Sequence, residues 1–306
     1  MAGVAFALLA GALLAVQSRI NGELGQRLHD GVLAALISFG TGLLVLLAGA
    51  AASSRMRGGI RRVLAGIRGG QLRWWQLCGG ASGAYLVTCQ GLTISSIGVA
   101  VFTVAAVAGQ AASGLVVDRL GLGPAGRQPV TGVRVVAAVA AVFAVLVAVA
   151  DRLAVPAALG LAALPLLAGF ALSWQQAVNG RVAVAAGPLP AALVNFSAGT
   201  AVLVAVAAAT TAARGLPAAF PSQPGLYAGG LLGIPVITLA AVAVRWIGVL
   251  LLGLATVAGQ IVTALALDVF SPAAGTTPSP ATVAGCVLAL AVVTVLAGTG
   301  LAPGRR

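Results

Sequence analysis

The sequence predicts an all-α membrane protein with ten transmembrane helices, arranged as two inverted five-helix repeats. Composition is the first ground: 60% of the 306 residues are hydrophobic and only 7% are charged, whereas a soluble domain carries about 25% charged residues. The second is that Val107-Ala108-Gly109-Gln110 recurs as Val257-Ala258-Gly259-Gln260, at an offset of 150. An aspartate closes each apolar segment, Asp118 and Asp268. This recurrence indicates an internal duplication.

The duplication extends along the whole chain, with an offset that falls from 158 near the start to 150. The falling offset indicates longer loops in the first half, chiefly an Arg-rich loop at 53–73. We therefore predict one repeat at residues 1–152 and a second, inverted repeat at residues 153–306. The matched pairs are Gly11 and Gly169, Gln17 and Gln175, Asn21 and Asn179, Ser38 and Asn195, Phe39 and Phe196, Gly79 and Gly229, and Gly83 and Gly233.

Ten apolar segments have the length of about 20 residues that a helix needs to cross the hydrocarbon. The first, after Met1, resembles the apolar part of a signal peptide, but residues 160–182 repeat it in mid-chain. Short polar joints at Ser95-Ser96 and Arg245-Trp246 predict two tight antiparallel helix pairs. The predicted spans are 3–22, 31–51, 74–93, 97–118, 130–150, 158–179, 189–210, 225–244, 247–268 and 281–300.

The arginines predict how the chain lies in the membrane. All 17 basic residues are arginine, which together with much Ala, Gly and Val is typical of a GC-rich bacterial genome. Placing the 53–73 loop in the cytoplasm puts thirteen arginines inside and four outside, as the positive-inside rule requires. We therefore predict a multi-pass protein of the bacterial inner membrane with both termini cytoplasmic. Five helices per repeat invert the second repeat, an arrangement typical of secondary transporters.

Several function classes find no support in the sequence. The net charge of +12 lies largely in one loop, without the basic, aromatic-interleaved face of nucleic-acid binders. One histidine and five acidic residues give no acid pair or metal-spaced cluster, so no enzyme and no metal site is predicted. No phosphate-binding loop is present, and no cofactor is predicted. The expected partners are a small-molecule substrate and the lipid bilayer; a homodimer is left open.

Polar residues inside the apolar segments are the candidate site, because an unpaired polar group is costly in a membrane. Gln110 and Gln260 would straddle the midplane, about 4–5 Å on either side of it. Each could equally form an interhelical hydrogen bond that only stabilises helix packing. Two further pairs lie four residues apart on one helix face, a spacing that favours a cavity. The candidate substrate-binding residues are Gln110, Gln260, Gln17, Gln175, Asn21 and Asn179, the two asparagines lying toward the mouths of a central cavity.

Asp118 and Asp268 are expected at helix ends that face water, either solvated or paired with an arginine. A carboxylate is unfavourable at a helix C-terminus, so Arg119 or Arg134 is a plausible partner for Asp118. Ser38 and Asn195 could serve either packing or the site.

Three stretches resemble a known family: residues 10–22, Leu36-Ile37-Ser38-Phe39, and Gly109-Gln110 with the later Asp118. They resemble the YdcZ-like branch of the drug/metabolite transporter superfamily, in the form that fuses two five-helix units. The resemblance implies a ten-helix bundle and a small-molecule transport role, without naming a substrate. Small multidrug exporters of that superfamily carry a coupling glutamate in helix 1. Here Gln17 and Gln175 occupy that region, and the nearest acid is Glu23 at the outer end.

The predicted function is a secondary transporter that moves a small organic solute across the inner membrane by alternating access. A channel or facilitator built on the same bundle is the alternative. An amide-lined cavity without a fixed anion favours a polar or weakly charged solute over a strong cation. Coupling to protons through a central carboxylate is not expected.

Overall fold

The computed structural model describes residues 1–148, 159–215, 217, 219–270 and 280–298. The described part is helical, without any strand, so the predicted all-α fold class is confirmed. The predicted boundary between the repeats, at residues 152 and 153, lies outside the described residues. The helices of the described part are α1 (Ala2–Leu28), α2 (Gly31–Ala52), α3 (Ser54–Arg68), α4 (Gly79–Leu120), α5 (Gly132–Ala148), α6 (Ala163–Ala186), α7 (Pro188–Arg214), α8 (Gly229–Phe270) and α9 (Pro280–Gly298).

Helix α8 consists of two limbs. Gly248 interrupts the helix with a φ of 73° and a ψ of 175°, a backbone conformation that glycine adopts without steric cost. The break lies two residues beyond Trp246, close to the predicted joint.

Helix α4 also folds back on itself. The Tyr85 hydroxyl donates to the Leu164 carbonyl at 3.4 Å, and Ala106 packs in the same apolar cluster as Tyr85 and Leu164. A straight helix would separate residues 85 and 106 by about 31 Å. The chain must therefore turn between them, which gives two limbs. Together with α1, α2, α5, α6, α7 and α9, these limbs and the two of α8 give the ten predicted apolar helices among the described residues, and α3 is an additional helix.

The apolar surface fits a lipid environment. Four described helical stretches are long and apolar enough to cross a membrane: Ala2–Leu28, Gly31–Ala52, Pro188–Ala212 and Pro224–Leu267. The last has 44 residues, enough for the two limbs of α8. Large apolar side chains of α5 and α9, among them Val136, Phe143 and Val287, are exposed on the surface.

The expected Arg-rich loop at 53–73 is largely a helix, α3. Its buried residues Met56, Gly59, Val63 and Gly66 recur every three or four positions, so they form one face. Arg62 donates to the carbonyl of Ala186, the last residue of α6, at 2.9 Å. The segment is therefore an amphipathic helix that packs against the end of the bundle and exposes most of its arginines.

Helix α1 crosses the second limb of α8 with backbones in contact. A Cβ atom on Gly11 would overlap the carbonyl oxygen of Thr256, and one on Gly259 would overlap that of Leu8. Only glycine permits so close an approach at both positions. The first helix of the chain therefore packs on a helix of the second half.

Helix α6 crosses the second limb of α4 in the same way. A Cβ atom on Gly169 would overlap the carbonyl oxygen of Ala106, and one on Gly109 would overlap that of Leu166. Each residue is the repeat counterpart of one at the other crossing, by the offsets of 158 and 150. The two halves of the chain are thus interlocked by two equivalent crossings.

Side-chain contacts join groups that a ten-pass path places at the same end of the bundle. At the end where α3 lies, called the α3 end, Arg181 donates to the carbonyl oxygens of Gly121 at 2.7 Å and Leu122 at 3.0 Å. At the opposite end, Arg19 donates to the carbonyl of Leu267 at 3.3 Å, and Arg27 to Gln223 at 2.5 Å. Which end faces the cytoplasm stays a prediction.

Candidate functional site

A cleft separates the second limbs of α4 and α8 near the middle of the bundle. The space between the limbs is about 170 Å³, counting its opening to solvent, and is too narrow to admit a water molecule. Among the described lining residues, Gln110 alone has a polar side chain; a Cβ atom on Gly253 would lie 3.1 Å from the Gln110 Nε2. The amide therefore occupies space that the glycine leaves open. The lining residues are Val107, Gln110, Ala111, Leu250, Gly253, Leu254 and Val257.

The two limbs that form this cleft run antiparallel. Gln110 lies beside Gly253, and Gly114, one turn later, lies beside Leu250. Gln110 follows Val107 by three residues and Gln260 follows Val257 by three, so the two amides lie on opposite sides of the valines. Each amide is about 4–5 Å along the helix axis from its valine. Gln260 is half-buried but does not line the cleft.

A second polar group, the Asn195 cluster, consists of Gln175, Asn179 and Asn195, which are 6%, 5% and 1% exposed. The Asn195 Oδ1 accepts hydrogen bonds from the Gln175 Nε2 at 2.8 Å and the Asn179 Nδ2 at 2.9 Å. The Asn195 Nδ2 is buried without a partner. This cluster ties α6 to α7 and leaves one amide donor unused.

The Ser38 cluster is its counterpart at the opposite end and consists of Gln17, Asn21 and Ser38. The Asn21 Oδ1 and the Ser38 Oγ are buried without partners. Both approach Gly229, where an added Cβ atom would lie 2.9 Å from the Ser38 Oγ. Gln17 lies one turn deeper, against Gly233. The serine does not act as the hub that Asn195 forms.

The structure thus distributes the six predicted site residues over four places. Gln110 lines the central cleft, and Gln260 lies on the far side of the valines. The four residues of the Gln-x-x-x-Asn pairs lie in the two clusters and do not line the cleft. Trp174, beside Gln175, stacks on Trp75 with ring centroids 6.3 Å apart.

Asp118 forms a buried ion pair, and its predicted position in water was wrong. Asp118 and Arg134 are 2% and 4% exposed, and their side chains form a salt bridge, so the arginine partner is confirmed. The carboxylate also accepts from the backbone amides of Val249 at 2.8 Å and Leu250 at 3.1 Å. These amides lie 131 and 132 residues away in the sequence, so local pattern could not find them. The side chain of Asp268 lies outside the described part.

Sequence reasoning left Ser38 and Asn195 open and missed Gly253. Gly253 could have been found from the offset of 150, which pairs it with Thr103. The two repeats differ in side-chain volume at that position. Among the described residues, no group of three His, Cys, Asp or Glu side chains could hold a metal ion.

The sequence model of one protein family matches residues 2–147 and again residues 160–297. Its description reads "Putative inner membrane exporter, YdcZ". The chain belongs to this family. The two matches mean that the YdcZ unit occurs twice, as the fused two-unit form requires. As a member of this family, the chain is a multi-pass inner-membrane protein of an exporter family. Exporters are not an enzyme class.

A solved structure titled "Crystal structure of protein" has a similar fold. The TM-score is 0.68, over 99% of this chain and 98% of the other, at 18% sequence identity. At that identity the likeness concerns the fold alone. No curated protein matches this chain.

Proposed function

We propose that the protein is a secondary exporter that moves a small, neutral, polar organic solute across the inner membrane by alternating access. The observation that carries this proposal is the central cleft, where the Gln110 amide faces Gly253 between two interlocked halves. A site near the midplane between inverted repeats is where transporters of this build place their substrate. Gln260, the repeat counterpart of Gln110, is the second amide of the proposed site.

The chemistry of the cleft favours a neutral solute. None of the described lining residues is charged, and those around Gln110 are valine, leucine, alanine and glycine. A charged solute would lose its hydration there without an opposite charge to offset the loss. An amide both donates and accepts a hydrogen bond, so it suits a hydroxyl or amide group of the solute.

We assign the two polar clusters to the two mouths of the pathway. Gln17 and Asn21 would contact the solute at the opposite end, and Gln175 and Asn179 at the α3 end. The Ser38 cluster retains two buried polar atoms, and the Asn195 cluster one, without a partner among the described residues. Such atoms are costly unless something else binds them. Hydrogen bonds between membrane helices contribute only about 0.6 kcal/mol on average, so packing glue alone is a weak reason for these groups.

The closed cleft favours a carrier over a channel, because the space beside Gln110 admits no water. A thermal-shift screen of the purified protein against neutral metabolites would first identify a ligand. Counterflow of that ligand in proteoliposomes then tests the mechanism. Uptake of labelled ligand driven by unlabelled ligand inside supports alternating access. Equal flux with and without internal ligand would favour the channel and reject the carrier.

The proposed orientation places the α3 end in the cytoplasm. Ser54 lies at the start of α3 and Ser222 in a connection at the opposite end, and both are exposed. In a variant without native cysteines, a cysteine at Ser54 should react with an impermeant maleimide only from the cytoplasmic side. A cysteine at Ser222 should react only from outside. The reverse pattern would overturn the orientation, and labelling of both from one side would overturn the ten-pass path.

A further inference from the structure

The second limb of α8 begins with a cap that comes from the other wall of the cleft. Gly248 breaks the helix, and the next two backbone amides, of Val249 and Leu250, donate to the Asp118 carboxylate. These amides have no acceptor within their own helix, so a side-chain carboxylate there is a strong N-cap. Asp118 lies near the end of α4, which carries Gln110.

This single side chain fixes the register between the two walls. Gln110 precedes Asp118 by eight residues, and Gly253 follows Val249 by four. Along α4, Asp118 is therefore about two turns from the Gln110 amide, and along the second limb of α8 the capped amide of Val249 is about one turn from Gly253. A shift of the second limb along its axis would move Gly253 away from Gln110 and close or widen the space between them.

Arg134 supplies a charge that the cap itself does not need. It comes from α5 and neutralises Asp118 inside the protein. A neutral asparagine is a good N-cap, but it has one acceptor oxygen, whereas the carboxylate accepts from Val249 with Oδ1 and from Leu250 with Oδ2. The capping and the ion pair can therefore be separated by substitution, provided that both charges are removed together, because a lone buried charge is strongly destabilising.

We propose that Asp118 is a positioning residue that sets the substrate cleft by capping the second limb of α8. The proposal rests on the proposed function, since it concerns the same cleft. Asp118 does not touch the solute. It acts through Gly253, Leu254 and Val257, the lining residues of the limb that it holds.

Two double variants isolate the cap. Asp118→Asn with Arg134→Met removes both charges and retains an N-cap acceptor. Asp118→Leu with Arg134→Met removes both charges and the cap, and retains the branched shape of the side chain at residue 118. Both are made in full-length protein without native cysteines, with Val257→Cys as a reporter in the cleft. The measurements are the N-ethylmaleimide labelling rate of that cysteine and hydrogen exchange at Val249 and Leu250, neither of which needs the solute.

Compared with the reporter protein that retains Asp118 and Arg134, we expect the asparagine variant to label within about twofold and to keep slow exchange at one of the two amides, the one bonded to its single acceptor oxygen. The leucine variant should label, and exchange at both amides, about tenfold faster, the ratio that loss of one N-cap implies. With a ligand from the screen, the leucine variant should raise KM and largely keep the maximal rate. Equal labelling and exchange in the two variants would overturn the proposal. If the wild-type protein, with Val257 in place, transports no ligand, the proposed function fails while the labelling contrast still decides the role of Asp118.

The leucine side chain could itself prevent folding, so Asp118→Ala with Arg134→Met provides a second capless variant with the same expectation. If both capless variants misfold while the asparagine variant folds, Asp118 serves the stability of the fold, and the positioning role is rejected.

Discussion

The two halves of the chain share their backbone crossings but differ in the side chains around each central glutamine. Gln110 lies beside Gly253, which leaves the narrow cleft open. The offset of 150 places Thr103, not glycine, at the corresponding position for Gln260. The duplication therefore preserved the scaffold, while substitution made the two sides of the midplane unequal.

The polar clusters differ in the same way. Asn195 accepts from two amides at once, whereas its counterpart Ser38 has a buried Oγ without a partner. One cluster is therefore a connected network and the other a set of loosely associated groups. The α3 end also contains the buried Asp118–Arg134 pair. The residue at the position of Arg134 in the second repeat, by the offset of 150, is Ala284.

The largest expected effect is a difference in stability between a substitution in the Asn195 cluster and one in the Ser38 cluster. Asn195→Leu removes the shared acceptor and leaves two buried amide donors unpaired, which should lower the free energy of unfolding by about 2 kcal/mol. Ser38→Ala removes a hydroxyl without a partner and should change it by less than about 0.5 kcal/mol. Thermal unfolding of the two purified variants in the same detergent compares them. Equal losses of stability would mean that the clusters do not differ in connectivity.

A smaller effect should come from filling the open side of the cleft. Gly253→Ala places a methyl group 3.1 Å from the Gln110 Nε2, so the flexible amide must move by a few tenths of an ångström. The fold should survive, and affinity for a screened ligand should fall about tenfold, as expected for one methyl group in a tight pocket. The matched control is Gly40→Ala, because an added Cβ atom there meets nothing within 4 Å. Unchanged affinity in the Gly253 variant would remove this glycine from the site.

The smallest effect is expected at Glu23, the acid nearest to the Ser38 cluster in helix α1. It pairs with Arg27 at 2.6 Å, and the arginine and glutamate side chains are 41% and 49% exposed. Exposed pairs four residues apart contribute about 0.3–0.5 kcal/mol. Glu23→Gln should therefore leave both stability and transport rate nearly unchanged, as measured by thermal unfolding and counterflow. Loss of proton-driven transport with intact ligand binding would instead identify Glu23 as the coupling site.

The helices and their crossings could be predicted because their signals are local or periodic. Apolar segment length gave the ten limbs, and the repeated Gly-Gln motif marked the limbs that form the cleft. Helix α3 was expected as a loop because its arginines and glycines obscured four buried residues at helical spacing. That signal was present in the sequence and could have been used.

Other features depend on contacts between distant segments. From the sequence alone, Asp118 is expected at a helix end that faces water. In the structure, the helix break at Gly248 frees two backbone amides from the other half of the chain, and these donate to the Asp118 carboxylate. From the sequence alone, Asn195 is an isolated amide in an apolar helix. In the structure, Gln175 and Asn179 of α6 both donate to it. No periodicity specifies which of several buried polar groups meet, because that depends on how deeply two helices cross.

The most direct test of the account is the loss of ligand binding when each central amide is removed. Gln110→Leu and Gln260→Leu should each fold, because leucine is favourable in a membrane helix. Gln26→Leu, at an exposed position near the end of α1, is the matched control. We expect both central variants to keep the melting temperature of the unliganded protein and to lose ligand-induced stabilisation and counterflow, while the control keeps all three. If both variants bind and transport the ligand at the wild-type rate, the glutamines are packing residues and the site lies elsewhere.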